Sequence, residues 1–190
     1  WKSKDFVNWS FAGSHIRGFD WAKGYEYEND KGEKKKGYFR YWAPGKVIEQ
    51  EGRYYLYVTF VKPDEKMGTY VLVADRPDGP FRFAEGKGLS LPGTEEADSP
   101  AVVPDIDGEP FIDEDGKGYI FWRRRLAARL SDDKLHVDGE PVSIKTARQG
   151  YSEGPLMFKR KGIYYYVYTL SGHQNYANAY MMSRESPLTG

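Results

Sequence analysis

The sequence predicts an all-β chain built as a β-propeller, and three observations carry that prediction. A Pro–Gly–aromatic order recurs three times along the 190 residues. Gly-bearing turns such as "DEDGKG" and "KRKG" lie between β-rich runs, which is a hairpin signal. No stretch longer than a turn or two shows helical periodicity. A unit of about four short strands, repeated, reads as blades arranged about an axis. A β-sandwich also yields short strands, but nothing in it requires the same order to return.

Taken in order, the chain opens on "WKSKDFVNWSFAG". There "SKDFVNW" occupies the place that "ADRPDGPF" and "SRESPLTG" take at the ends of later repeats, so residues 1–13 read as the outer edge of a first blade. Lys34, Lys35 and Lys36, beside Glu33 and Asp30, read as a solvated loop rather than a phosphate site. The second blade covers 38–83, with "APGKVIEQEGRYYLYVTF" and "TYVLVADRPDGPF". The third covers 100–145, with "EPFIDEDGKGYIFW" and "LAARLSDDKLHV". The fourth covers 150–190, with "GPLMFKRKGIYYYVYTL" and "AYMMSRESPLTG". Pro44, Pro110 and Pro155 head these units, and Gly52, Gly116 and Gly162 fall in turns where positive φ suits glycine. Spacing from proline to proline is 66 and then 45 residues, the excess lying in a Gly/Glu-rich loop at 84–99. The expectation is about three and a half blades of a longer propeller, whose remaining blades would be partners of these, since blades bury their faces on one another.

Composition narrows the function. Basic and acidic residues both number 28, so no net field draws the chain to nucleic acid or an anionic membrane. Cysteine is absent, which excludes disulfides and thiolate metal sites. No apolar run approaches the roughly 18 residues of a membrane span. Aromatic residues make up 16%, including 16 Tyr and 5 Trp, which suits β-structure and also suits sugar binding.

In a propeller the inner strands converge at one end of the axis, so residues just before each of them point at a common funnel. Trp42 precedes Ala43-Pro44, Asp107 precedes Glu109-Pro110, and Glu153 precedes Gly154-Pro155. The repeat therefore predicts one aromatic plate and two carboxylates around a single opening. Inverting glycoside hydrolysis needs a carboxylic acid for the leaving oxygen and a carboxylate that activates water, roughly 6.5–9.5 Å apart. Neighbouring blades can set such a distance, whereas one strand cannot.

The ordered set "SKDFVNW", "WAPGKV", "GRYYLYVTF", "VADRPDGPF", "IDGEPFIDEDGKGYIFW", "YSEGP", "GIYYYVYTLSG" and "MSRESPLTG" resembles glycoside hydrolase family 43 over nearly the whole chain. The resemblance implies a five-bladed propeller that hydrolyses arabinose- and xylose-containing plant polysaccharides, of α-L-arabinofuranosidase or β-xylosidase type. It implies a carbohydrate substrate, no cofactor, and a bacterial secreted or periplasmic setting. Glu153, in Glu-Gly-Pro, matches the general acid, which must hold its proton above the roughly 4.3 of a free Glu; the alternative is a solvated strand-edge Glu. Asp107 matches the carboxylate that orients the acid and raises its pKa by like-charge repulsion; the alternative is an Asx turn. Gly108 stands where the pattern has proline, which bears on the backbone direction at Asp107.

The general base of the family is an Asp early in blade one, and no residue of this chain matches it. Neither Asp5 nor Asp20 does. The 190 residues alone are therefore expected to hydrolyse negligibly. Trp42 is the main sugar-stacking candidate, with a core tryptophan as its rival reading. Tyr41, Trp21 and His173 with Gln174 or Asn175 are further candidates for the substrate-binding rim. Asp113 and Asp115 belong to a hairpin turn away from the funnel. His15 and His136 lack ligand-spaced partners, so no metal site is expected. Two other readings remain at this stage: a propeller that binds sugar without turning it over, and an invertase-like fructosidase.

Overall fold

The computed structural model describes residues 1–13, 16, 19–91, 94, 98–148, 150–172 and 175–189. It is all-β. Two short antiparallel hairpins come first: β1 (Lys2–Ser3) with β2 (Trp9–Ser10), and β3 (Tyr25–Glu28) with β4 (Lys34–Gly37). Three larger sheets follow. Sheet I is β5 (Arg40–Gln50), β6 (Arg53–Val61), β7 (Met67–Ala74) and β8 (Arg82–Phe83). Sheet II is β9 (Glu109–Ile112), β10 (Gly118–Trp122), β11 (Leu126–Leu130) and β12 (Val137–Ser143). Sheet III is β13 (Leu156–Arg160), β14 (Ile163–Gly172) and β15 (Asn175–Ser183). Each is an antiparallel meander in chain order, and the first strands β5, β9 and β13 are neighbours. This is the blade arrangement that the repeat predicts.

Strand alternation explains the packing. In β6, Tyr57 turns to one face and Leu56, Val58 and Phe60 to the other, and all are buried because sheet I is covered on both sides. Tyr57 and Val71 meet Val103, Ile120, Trp122 and Leu130 of the next repeat. Leu56, Val58, Phe60 and Leu72 pack under Ile16 and Phe19 of the incoming chain. Between sheets II and III the core is Phe111, Phe121 and Ala127 against Met157, Tyr164, Tyr166 and Tyr168. The tyrosine strand is thus blade-to-blade packing. The reverse face of sheet III leaves Leu156, Phe158, Tyr180 and Met182 exposed.

Gly52, Gly116 and Gly162 adopt φ of 77°, 82° and 73° with open space where a Cβ would stand, so backbone conformation alone selects glycine there. Two details depart from expectation. Residues 34–36 are a strand, solvated as expected but paired with β3 rather than looped. Pro44 lies inside β5, at a register shift between Trp42 and Lys46, rather than heading the strand; a bulge tolerates a residue that cannot donate to the ladder. Among the described residues, β1 and β2 pair with each other and with no larger sheet.

Asp113 does more than close its turn. Its carboxylate accepts from Lys159 Nζ at 2.8 Å and from the Tyr164 hydroxyl at 2.5 Å, both on sheet III, while its side chain is only 7% exposed. Burial works against the charge, but Lys159 and Tyr164 outweigh it and hold the carboxyl below its usual range. A lowered folded pKa contributes stability above the unfolded value, roughly pH 4, and loses it as pH falls through the folded value. Asp113→Ala is therefore expected to lower unfolding free energy by about 2 kcal/mol at pH 7. Urea titrations of both forms should show the difference shrinking at pH 3; an unchanged midpoint at pH 7 would remove this latch from the account.

Candidate active site

Each first strand carries a left-handed residue at its bulge or just before its start: Ala43 (φ 61°) in the bulge of β5, Asp107 (φ 65°) before β9 and Gly154 (φ 55°) before β13. This conformation is unfavourable for any residue but glycine, and such strain gathers where a loop must present a group. The three corners meet. Trp42, Ala43, Ile106, Asp107, Glu153, Gly154 and Thr169 line one open cavity of about 380 Å³. Trp42, Asp107 and Glu153, chosen from their places in three repeats, thus share a site.

Asp107 is tied from both sides. Its backbone N–H donates to Thr59 Oγ1 at 3.1 Å, and the next N–H, of Gly108, donates to Thr69 Oγ1 at 3.0 Å. Thr69 in turn donates to the Asp105 carbonyl at 3.0 Å. A Cβ on Gly108 would stand 2.6 Å from the Thr69 side chain, and a proline would also lack the donated hydrogen. The missing proline is therefore a fit to these threonines. Asp107 Oδ2 accepts from the Gly154 N–H at 3.0 Å, so the corner carrying Glu153 is fastened to the Asp107 carboxylate. Burial raises the pKa of Asp107; the Gly154 N–H opposes this and the charge of Glu153 adds to it.

Glu153 is half-buried, its carbonyl accepting from Thr169 N at 3.1 Å and its Oε2 from the Tyr151 hydroxyl at 2.9 Å. Trp42 is 45% exposed, with the Arg40 guanidinium 5.7 Å from its ring centre, so a free indole surface faces the opening. Tyr41 does not join it. It points to the opposite face of β5, edge-on to Phe60 at 6.3 Å, and its hydroxyl accepts from Gly45 N at 3.2 Å. Alternation along a strand makes this unavoidable once Trp42 faces the cavity. Trp21 is on that far face too, stacked on Phe60 at 6.1 Å. His173 and Gln174 lie outside the described residues.

The other acids are engaged locally. Asp5 caps its own turn through Val7 and Asn8 N–H, Asp20 through Ala22 and Lys23, and Asp115 pairs with Lys117. His136 sits 3.0 Å from Glu85 and 3.6 Å from Asp133. Among the described residues, no group of three or more His, Cys, Asp or Glu is placed to hold a metal ion.

Sequence reasoning missed four residues around this site: Thr59, Thr69, Tyr151 and Arg123. For Tyr151 a signal existed, because a residue two before Glu153 in extended chain shares its side. For the threonines and the arginine none did, since their partners are distant in sequence.

The model of the glycosyl hydrolases family 43 matches residues 1–190. The chain belongs to this family. Its three sheets are accordingly blades of the family's five-bladed propeller. A β-D-galactofuranosidase of Aspergillus niger is 30% identical over 142 residues, covering 69% of this chain and 39% of that protein. A solved structure described as a glycoside hydrolase is 42% identical with a TM-score of 0.77, covering 99% of this chain and 38% of that one. An α-L-arabinofuranosidase structure from Clostridium thermocellum is 26% identical with a TM-score of 0.59, covering 77% of this chain and 48% of that one. The chain spans less than half the length of each of these three relatives.

Proposed function

We propose that the protein is an inverting glycoside hydrolase acting on arabinose- or xylose-containing plant polysaccharides and oligosaccharides, with Glu153 as general acid and Asp107 as the carboxylate that orients it. One observation carries this reading: carboxyls from two separate blades share a cavity with an exposed tryptophan, and one is hydrogen-bonded to the backbone beside the other. Glu153 would protonate the departing glycosidic oxygen while a carboxylate on the opposite face of the sugar activates water. None of the described residues is assigned the part of that base. Trp42 would stack on the apolar face of the ring. The Aspergillus and Clostridium relatives are both named for furanosides, which favours an arabinofuranoside as the first substrate. A bacterial secreted or periplasmic location suits attack on plant cell-wall polymers.

The test is hydrolysis of p-nitrophenyl α-L-arabinofuranoside and β-D-xyloside by the whole protein, with the first-formed anomer read by proton NMR. Release of sugar with inverted configuration is expected. Retained configuration would point to a nucleophilic carboxylate, and binding without turnover would point to a sugar-binding propeller; either overturns the reading.

A further inference from the structure

Between β10 and β11 the chain turns a corner at Arg123, Arg124 and Arg125, and this corner grips both loops of the active site. Arg124 and Arg125 are left-handed, at φ 66° and 60°. That conformation, in two successive non-glycine residues, persists only when surrounding contacts over-determine it. The contacts are present. Arg124 N donates to the Ser152 carbonyl at 2.9 Å, and Arg125 Nη1 to the Gly150 carbonyl at 2.8 Å. Both acceptors belong to the segment that ends in Glu153. Arg123 N faces the Ile106 carbonyl at 3.4 Å, next to Asp107.

The Arg123 side chain continues the link. Its Nη2 lies 2.7 Å from Asp105 Oδ1, and its guanidinium lies beside the Tyr151 phenol, close enough for each to bear on the other's ionisation. Burial works against its charge, but Tyr151 and Asp105 outweigh it, so the guanidinium stays firmly protonated. Tyr151 then donates to Glu153 Oε2. A cation behind a phenol polarises the O–H and strengthens its donation along the chain. The order is Asp105, Arg123, Tyr151, Glu153.

From this geometry we infer that Arg123 and Tyr151 are positioning residues for the acid: they pin Glu153 Oε2, so that Oε1 is the oxygen that hands the proton to the substrate. The inference rests on the assignment of Glu153 as general acid. A carboxyl free to rotate spends most of its time misaligned, and misplacement on the ångström scale costs up to about 100-fold in rate.

Tyr151→Phe in the whole protein removes the hydroxyl and little else. Aryl glycosides from unsubstituted phenyl to 2,4-dinitrophenyl vary how much the leaving oxygen needs a proton. The expected result is a fall in kcat of about 10- to 100-fold on the phenyl glycoside, less than about threefold on the dinitrophenyl glycoside, and an almost unchanged KM. Arg123→Met should reproduce the pattern and Arg123→Lys should soften it. Equal losses on every leaving group would mean a merely structural role, and a rise in KM alone would make Tyr151 a sugar contact. Either result overturns the inference. Glu153→Gln, run in parallel, separates the two levels. If it shows the steepest leaving-group dependence while Tyr151→Phe is flat, only the relay fails. If Glu153→Gln keeps wild-type rates, the acid assignment fails with it.

Discussion

Glu153→Gln is expected to lower kcat on unactivated glycosides by about 1,000-fold, within the range general acids supply. Glutamine matches the shape of the carboxyl and still accepts from the Tyr151 hydroxyl, so the loop should keep its conformation. What it cannot do is release a proton. The departing oxygen must then leave as an alkoxide, which is why the loss should depend on the leaving group and nearly vanish when the aglycone is a dinitrophenol. Melting curves of the two proteins should coincide, since the removed charge is half-exposed and its hydrogen bond survives. Retention of more than about a third of wild-type kcat on the phenyl glycoside would take Glu153 out of the chemistry.

Asp107→Asn is the second large effect, expected at about 100-fold in kcat with a change in the acid limb of the pH profile. Burial, with the charge of Glu153 adding to it, raises the pKa of Asp107, so its negative charge is lost as pH falls through a value above the ordinary carboxylate range. Asparagine lacks that charge at every pH. The part of the acid limb that Asp107 contributes should therefore be missing from the variant's rate profile. Asparagine retains an oxygen that can accept from Gly154 N, so the fastening between the loops is kept. A variant with a reduced rate but an unchanged acid limb would show that Asp107 orients without acting through charge. A variant with an unaltered rate would exclude both roles.

The blades were legible because hairpin chemistry is local: a glycine that needs positive φ and an alternating aromatic strand are written in adjacent residues, as at Gly162 and β14. Asp107 and Glu153 were legible for a different reason. Each is placed by its repeat, and a repeat fixes radial position without any knowledge of contacts. The parts that escaped are those in which one repeat answers another. Asp113 satisfies a turn so well in sequence that its bonds to Lys159 and Tyr164 leave no trace there. The left-handed arginines have no compositional signature, because tertiary contacts rather than residue type hold them. Tyr41 and Trp42 look equivalent on paper, and only the pleat separates them. The lysines at 34–36 are exposed as expected, yet pairing with β3 makes them a strand.

The threonines beneath Asp107 bear on how such a protein can be rebuilt. Thr59 belongs to sheet I, holds the lip of sheet II, and that lip's carboxylate holds Gly154 of sheet III. Three modules that look interchangeable are sewn together at the very point where they meet the substrate. Transplanting one module from a relative to alter preference would cut this seam unless the hydroxyl, the glycine and the amide on its borders travel with it. The smallest exchangeable piece is therefore the junction between modules.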